Sequence, residues 1–412
     1  MIAHFIQVAI PVFLIVISSI ISTLFMGVKL TQSEFGDFAL LKTFILIGST
    51  FSILGIDNYY IRYGHENKSK IRHLHIILLT AILSAVFIIL MSILYDLGIE
   101  KAILLWIILF SNTNLLYFSS VLRIKLKLFL SKLMYNSWKI LLFGFLLIIL
   151  WDESHLSIVN LYYYLALTLL ITSGLATSIL LNRSKSNIQV KHSLLSSLKK
   201  SLSFWKINIF TLLFTGLDIL IIPLIIDKSN LGSYHAVTFI YLTGFSLLGS
   251  IFAFVLFPYI SQNKLVNWSA VFSILLFCVS ILIICLFIFA QDILTLAYAS
   301  KYANIINHYI IILLIVFGIL QMAHVLSHFY IYAKASQHEL SIYFKLVLGS
   351  CLLFITSFLI TSQLMEYTIF LIICHILIVW IIKYSLMVHL IKNINKESSV
   401  NNFDILYNNL DL

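Results

Sequence analysis

Apolar residues run through this chain in about twelve long blocks separated by short polar connections. The blocks cover approximately residues 4–26, 38–58, 74–95, 102–122, 133–150, 158–181, 207–226, 232–258, 268–290, 304–331, 343–363 and 367–388. A helix needs roughly 20 predominantly apolar residues to cross the hydrocarbon core, so the pattern predicts twelve membrane-spanning helices and an all-α fold. The first block has no basic leader and no small-residue cleavage site, and it reads as a retained span rather than a signal peptide.

The polar connections alternate in charge. Every second one is basic, from Arg62-Lys68-Lys70-Arg72 through Arg123-Lys125-Lys127-Lys132 to Arg183-Lys185-Lys191-Lys199-Lys200. The intervening ones carry acids, among them Glu34, Asp37, Asp96, Glu100, Asp152, Glu153, Asp227, Asp292 and Glu366. Of the 26 Lys and Arg, only Lys29, Lys42, Lys101, Lys228 and Lys301 lie at or near the acidic side. By the positive-inside rule the basic side is cytoplasmic and so are both termini. The longest connection, basic and Ser-rich, divides the chain into a first six-helix bundle over 1–181, a linker over 182–206, a second bundle over 207–391 and a cytoplasmic tail over 392–412.

Equal halves invite a test for an internal repeat. A shift of about 196 residues places Gly36 on Gly232, Phe38 on Tyr234 and Gly48 on Gly244. All three prolines fall inside blocks (Pro11, Pro223, Pro258), where a missing hydrogen bond bends a helix, as a passive kink or as a working one.

Composition agrees with a membrane protein: 412 residues, 61% hydrophobic and 10% charged, where soluble domains carry about a quarter charged. The net charge of +10 sits in short loops beside apolar blocks, so its partner is the bilayer surface rather than nucleic acid. Cys278, Cys285, Cys351 and Cys374 lie in apolar runs at spacings that fit neither a metal site nor a disulfide framework. No Gly-rich phosphate loop, paired carboxylates or Ser-His-Asp set stands out, so the chain reads as a transporter rather than an enzyme.

Ionisable groups at membrane depth are costly and mark function. Asp218, midway along the seventh block, either faces a wet cavity or pairs with a cation. Lys42 is expected about one turn inside the acidic boundary, lining a cavity or snorkelling outward. Lys139 enters the fifth block from the basic side. Asp57 and Arg62 close the second block, as an inner gate or as a helix-end pair facing headgroups. Gln321, His324 and His328 form one stripe on the tenth helix, either lining a cavity and titrating during transport or bonding between helices. No Cys or carboxylate accompanies the two histidines on that helix, which argues against a metal. Asn112, Asn114 and His235 are weaker candidates. Coupling to a proton or sodium gradient would fall to Asp218 and Asp57; no bound cofactor is expected.

Several strings carry a resemblance. They are Glu34-Phe35-Gly36-Asp37-Phe38 after the first block, Leu54-Gly55-Ile56-Asp57 with Arg62 near the end of the second, Leu217-Asp218-Ile219-Leu220, Leu231-Gly232-Ser233-Tyr234, and Leu294-Thr295-Leu296-Ala297-Tyr298 with Lys301-Tyr302. Together they resemble the Wzx-type flippases, the polysaccharide-exporter branch of the multidrug/oligosaccharidyl-lipid/polysaccharide superfamily. The resemblance implies two six-helix bundles around a central cavity, moving an undecaprenyl-diphosphate-linked oligosaccharide across the bacterial inner membrane by alternating access. It implies an O-antigen or related surface polysaccharide as product, with a polysaccharide polymerase and chain-length machinery as partners. Relatives that flip the peptidoglycan precursor carry cavity arginines, including in the first helix; here that block has no cation between His4 and Met26, which argues against that cargo. Lys42, Arg62, Arg123 and Lys139 are the hypothetical replacements at the diphosphate. Alternative readings are a cation-coupled multidrug antiporter of the same superfamily and a membrane polysaccharide polymerase or ligase. The short outer connections count against the last.

Overall fold

The computed structural model describes residues 2–57, 70–125, 127–152, 157–182, 194–261, 268–298, 301–302, 307–364 and 368–408. All regular structure among them is helical, in fourteen helices. The first seven are α1 (Ile2–Lys29), α2 (Gln32–Ile53), α3 (Lys70–Tyr95), α4 (Ile99–Ile124), α5 (Leu128–Tyr135), α6 (Ser137–Asp152) and α7 (Ile158–Asn182). The remainder are α8 (Leu194–Ile225), α9 (Lys228–Ser261), α10 (Trp268–Ile288), α11 (Ala290–Tyr298), α12 (His308–Lys334), α13 (Gln337–Leu364) and α14 (Ile369–Asn408).

Ten of the helices are long and apolar enough to cross a membrane, and α5 with α6 forms an eleventh if that bent pair is one span. With the shorter apolar stretch Phe13–Lys29, each of the twelve expected blocks has a helical counterpart. Their outward faces are apolar, with Leu78 and Ile93 on α3 and Phe272, Phe277 and Ile288 on α10 all well exposed. Such a surface calls for lipid rather than water.

Capping sets where the helices begin. Thr31 and Glu34 close a reciprocal capping box on α2, so the helix starts at Gln32, well before the apolar block does. Asp227 accepts the Asn230 N–H at the head of α9, and Ser336 with Glu339 makes a second reciprocal cap on α13. Each satisfies N–H groups that the first turn leaves open. At its other end α2 stops through Leu54 and Gly55, both at positive φ. Trp205 of α8 donates its indole N–H to the Phe51 carbonyl there. A Cβ on Gly55 would stand 2.5 Å from the Ser201 carbonyl oxygen, so both the backbone angle and the close approach require glycine.

The sharp bend lies elsewhere than the prolines. Helices α1 and α8 run on through Pro11 and Pro223. The fifth block, expected as one helix, breaks by 71° between Tyr135 and Ser137. Asn136 marks the break: its backbone N–H keeps the regular i→i−4 bond to the Lys132 carbonyl while its side-chain amide donates to the same oxygen, the local side-chain bonding that favours a helix end. Its own carbonyl then accepts from Lys139 N to start α6.

The chain divides into two compact units, 1–232 and 233–412. In the first, α2 packs on α3, α4 and α8, and the bent α5–α6 pair lies against α1. The start of α9 also belongs to it. There Gly36 and Gly232, the pair aligned by the 196-residue shift, touch each other. A Cβ on Gly36 would overlap the Lys228 carbonyl oxygen and sit 3.2 Å from Gly232 N. A Cβ on Gly232 would overlap the Gln32 carbonyl oxygen and sit 3.2 Å from Gly36 N. The same shift carries Gln32 onto Lys228, so the contact is reciprocal, as two copies of one ancestral segment would make it. Around it, Lys228 pairs with Asp37 at 2.9 Å, Lys101 stands 3.8 Å from the same carboxylate, and Ser229 donates to Gln32. In the second unit α14 packs against α12 and α13, and α10 against α12.

Candidate functional site

The first unit gathers cations along one path. Arg123, near the end of α4, and Lys132 on α5 are close enough for their charges to interact. Tyr135, one turn further, lies in the fields of both Arg123 and Asp57. Beyond the break, Lys139 on α6 interacts in turn with Lys42. Lys42 stands on α2, which begins at Gln32, ahead of its apolar block. It lies about 15 Å from the helix start at the helical rise, halfway along. Its ammonium donates to Thr23 Oγ1 at 3.1 Å and lies over the Phe38 ring. Lys139 lies over Trp138. Aromatic faces partly replace the hydration that a lysine gives up on burial.

Of the expected positions, Lys42, Lys139, Arg123 and Asp57 therefore fall in this unit along the cation path, whereas Arg62 lies outside the described residues. Lys132 and Thr23 join the path without having been singled out from the sequence. Asp218 sits half-buried on α8, in a stretch held by two contacts. A Cβ on Gly216 would stand 3.2 Å from Thr43, and Tyr95 donates its hydroxyl to the Leu220 carbonyl at 2.6 Å. The seventh-block acid thus belongs to the unit that holds the lysines. Asn112 donates to Ser49 and Asn114 accepts from Thr80; both amides tie helices together.

The second unit holds the histidines. His324 and His328 have ring centroids 6.0 Å apart. His324 Nδ1 lies 3.1 Å from Met387 Sδ, and His328 Nδ1 lies 2.7 Å from the Tyr343 hydroxyl. Trp380 of α14 meets the His324 ring edge-on at 5.2 Å and carries Lys383 over its face. Lys383 is 1% exposed and interacts electrostatically with both histidines. Gln321, one turn before His324, is half-buried. Its Oε1 has no hydrogen-bond partner among the described residues. His235 is buried against Phe239 near the start of α9, on a different helix from the stripe.

Against known proteins, a family model described as polysaccharide biosynthesis protein matches residues 5–264. The chain belongs to this polysaccharide biosynthesis family. No curated protein matches it. Among solved structures it is similar to one described as the inward-facing conformation of a multidrug resistance MATE family transporter of the MOP superfamily. The TM-score is 0.57 at 13% identity, over 95% of this chain and 99% of that one. The fold of this polysaccharide biosynthesis protein is therefore that of a MATE-type transporter, a multi-pass helical membrane protein.

Within that fold the family member has a distinctive charge layout. Its first unit sets Lys42 midway along α2 with Thr23 Oγ1 on its ammonium, Lys139 in the first turn of α6 and Arg123 in the last turn of α4. Such groups are suited to anions: ammonium groups act as mobile point charges, and the hydroxyl supplies a directed donor.

Proposed function

We propose that this protein is a flippase for a lipid-linked oligosaccharide carrying a diphosphate, of the undecaprenyl-diphosphate class, in the bacterial inner membrane. The observation that carries the reading is Lys42, its ammonium held on Thr23 Oγ1 and within the field of Lys139, in a family tied to polysaccharide biosynthesis. A diphosphate and a glycan cannot enter hydrocarbon unaided, because unmatched charge at membrane depth costs several kcal/mol. Cations placed at that depth lower the barrier for the headgroup, while the polyprenyl tail stays in lipid. Arg123 and Lys132 would receive the diphosphate first, and Lys139 and Lys42 would hold it midway.

In this reading the chain works as two six-helix bundles, 1–181 and 207–391, joined by the 182–206 linker and followed by the 392–412 tail. Both termini are cytoplasmic, the product is an O-antigen or similar surface polymer, and a polymerase with its chain-length machinery takes the cargo on the far side. Asp218, in the unit with the lysines, would balance their charge when the site is empty.

Deleting the gene in a strain with no redundant exporter is expected to leave lipid-linked repeat units on the cytoplasmic leaflet and to remove the surface polymer. Normal polymer in that strain would contradict the reading. Intact polymer with raised sensitivity to cationic dyes would favour drug antiport instead.

A further inference from the structure

We infer that Lys383, His324 and His328 form a proton-binding site inside the second unit, and that the number of protons on it is linked to how α12, α13 and α14 pack. Because this site depends on the transporter reading but on no particular cargo, it names the coupling ion without naming the sugar.

Burial comes first. Lys383 is buried inside the unit rather than turned to its surface, with its ammonium over the Trp380 ring. An ionisable group kept inside an apolar segment marks a function by default. The three groups come from two helices, His324 and His328 from α12 and Lys383 from α14, joined through Trp380 between His324 and Lys383, with Tyr343 of α13 on His328.

The hydrogen bonds say which atoms take the proton. A thioether sulfur only accepts, so His324 Nδ1 donates to Met387 and the lone pair sits on Nε2. That nitrogen is the atom free in chemistry to become protonated. His328 shares its Nδ1 with a hydroxyl that can donate or accept, so the Tyr343 proton can turn as the imidazole changes state. A second positive charge in the cluster repels Lys383 strongly in an interior of low dielectric. Each added proton therefore favours an arrangement in which α12 and α14 separate or admit water, and each lost proton favours the closed packing. A site of this kind turns proton binding into helix movement.

The surroundings can be named helix by helix. On α13, Tyr343 and Cys351 face the cluster, and Lys345 is exposed. Glu339 lies one turn before Tyr343, with its carboxylate accepting the Ser336 N–H. On α14, His375 is engaged with Ser357, two turns away. On α10, which packs on α12, the titratable side chains are Cys278 and Cys285. His235 lies at the opposite end of its helix from the part that packs on Met322.

The test uses the full chain in lipid nanodiscs with ¹⁵N-histidine NMR, following His324 and His328 through a pH titration, with hydrogen exchange of α12–α14 measured on the same samples. Lys383→Met is expected to raise proton affinity at the histidine pair by about tenfold or more, one pKa unit being tenfold. Lys383→Arg, which keeps the charge, should leave it near the wild-type value. Hydrogen exchange in the three helices should rise as the pair takes up its proton. Identical histidine titrations in wild type and Lys383→Met would overturn the site, and so would titration with no change in exchange. If Lys383→Met does not fold, His324→Gln provides the second arm: it must shift the His328 titration, and an unshifted one overturns the proposal. No sugar lipid enters these measurements, so the cargo reading can fail while the proton site stands.

Discussion

Replacing Gly36 with leucine is expected to separate the start of α9 from α2 and to abolish transport. Gly174→Ala, where an added Cβ meets nothing within 4 Å, should be harmless. At Gly36 the obstacle is the Lys228 backbone carbonyl, which no rotamer change can move aside. Overpacking against side chains already costs about 1–3 kcal/mol, and a fixed backbone atom costs more. Even Gly36→Ala should weaken the contact, since its Cβ alone makes the overlap. The neighbouring bonds would fail with it, because Ser229–Gln32 and Lys228–Asp37 depend on the same approach. Cysteines at Gln32 and Ser229 give a readout. They should crosslink readily in the parent protein and poorly with Gly36→Leu or Gly232→Leu. Undiminished crosslinking in both glycine variants would show that the close contact is not required.

The second large effect belongs to the lysine pair. Lys42→Gln and Lys139→Gln each remove a charge-assisted contact worth about 1.5–3 kcal/mol. At about 1.4 kcal/mol per factor of ten, each should slow delivery of polymer by roughly tenfold to a hundredfold. The double variant should fall below either single one, and Lys42→Arg should retain most activity because it keeps the charge. Polymer on the cell surface, normalised to protein in the membrane, measures this. Wild-type polymer from the double variant would remove these lysines from the substrate path.

How much of this could be read from the chain depended on how local each signal was. That each of the twelve apolar blocks is helical followed from apolar run length alone, which is a property of each segment by itself. Their ends did not. The second apolar block starts near residue 38, whereas the Thr31–Glu34 capping box starts the helix at Gln32. That motif stands in the sequence and outranks the hydropathy window at helix starts. The break at Asn136 gave no comparable warning: its mark is a side-chain amide on one carbonyl, and the prolines pointed to other places.

The candidate sites divide in the same way. Lys383 was as legible as Asp218, since both are ionisable groups deep in apolar blocks, yet the twelfth block was read for its length and not for its one buried cation. The contact of Lys42 with Thr23, and of His328 with Tyr343, joins residues distant in sequence. Only packing reveals such pairs. The Gly36–Gly232 alignment lies between these cases. A weak repeat in the sequence became a specific contact once the two glycines were found touching.

The central claim is that this chain moves a diphosphate-linked sugar lipid from one leaflet to the other. The most direct test reconstitutes the purified full-length protein in liposomes containing a fluorescent undecaprenyl-diphosphate oligosaccharide, and measures how much label becomes accessible to a membrane-impermeant quencher. Transfer well above protein-free liposomes is expected, and its loss with Lys42→Gln/Lys139→Gln. Transfer no faster than in protein-free liposomes, alongside active transport of a cationic dye by the same preparation, would contradict it.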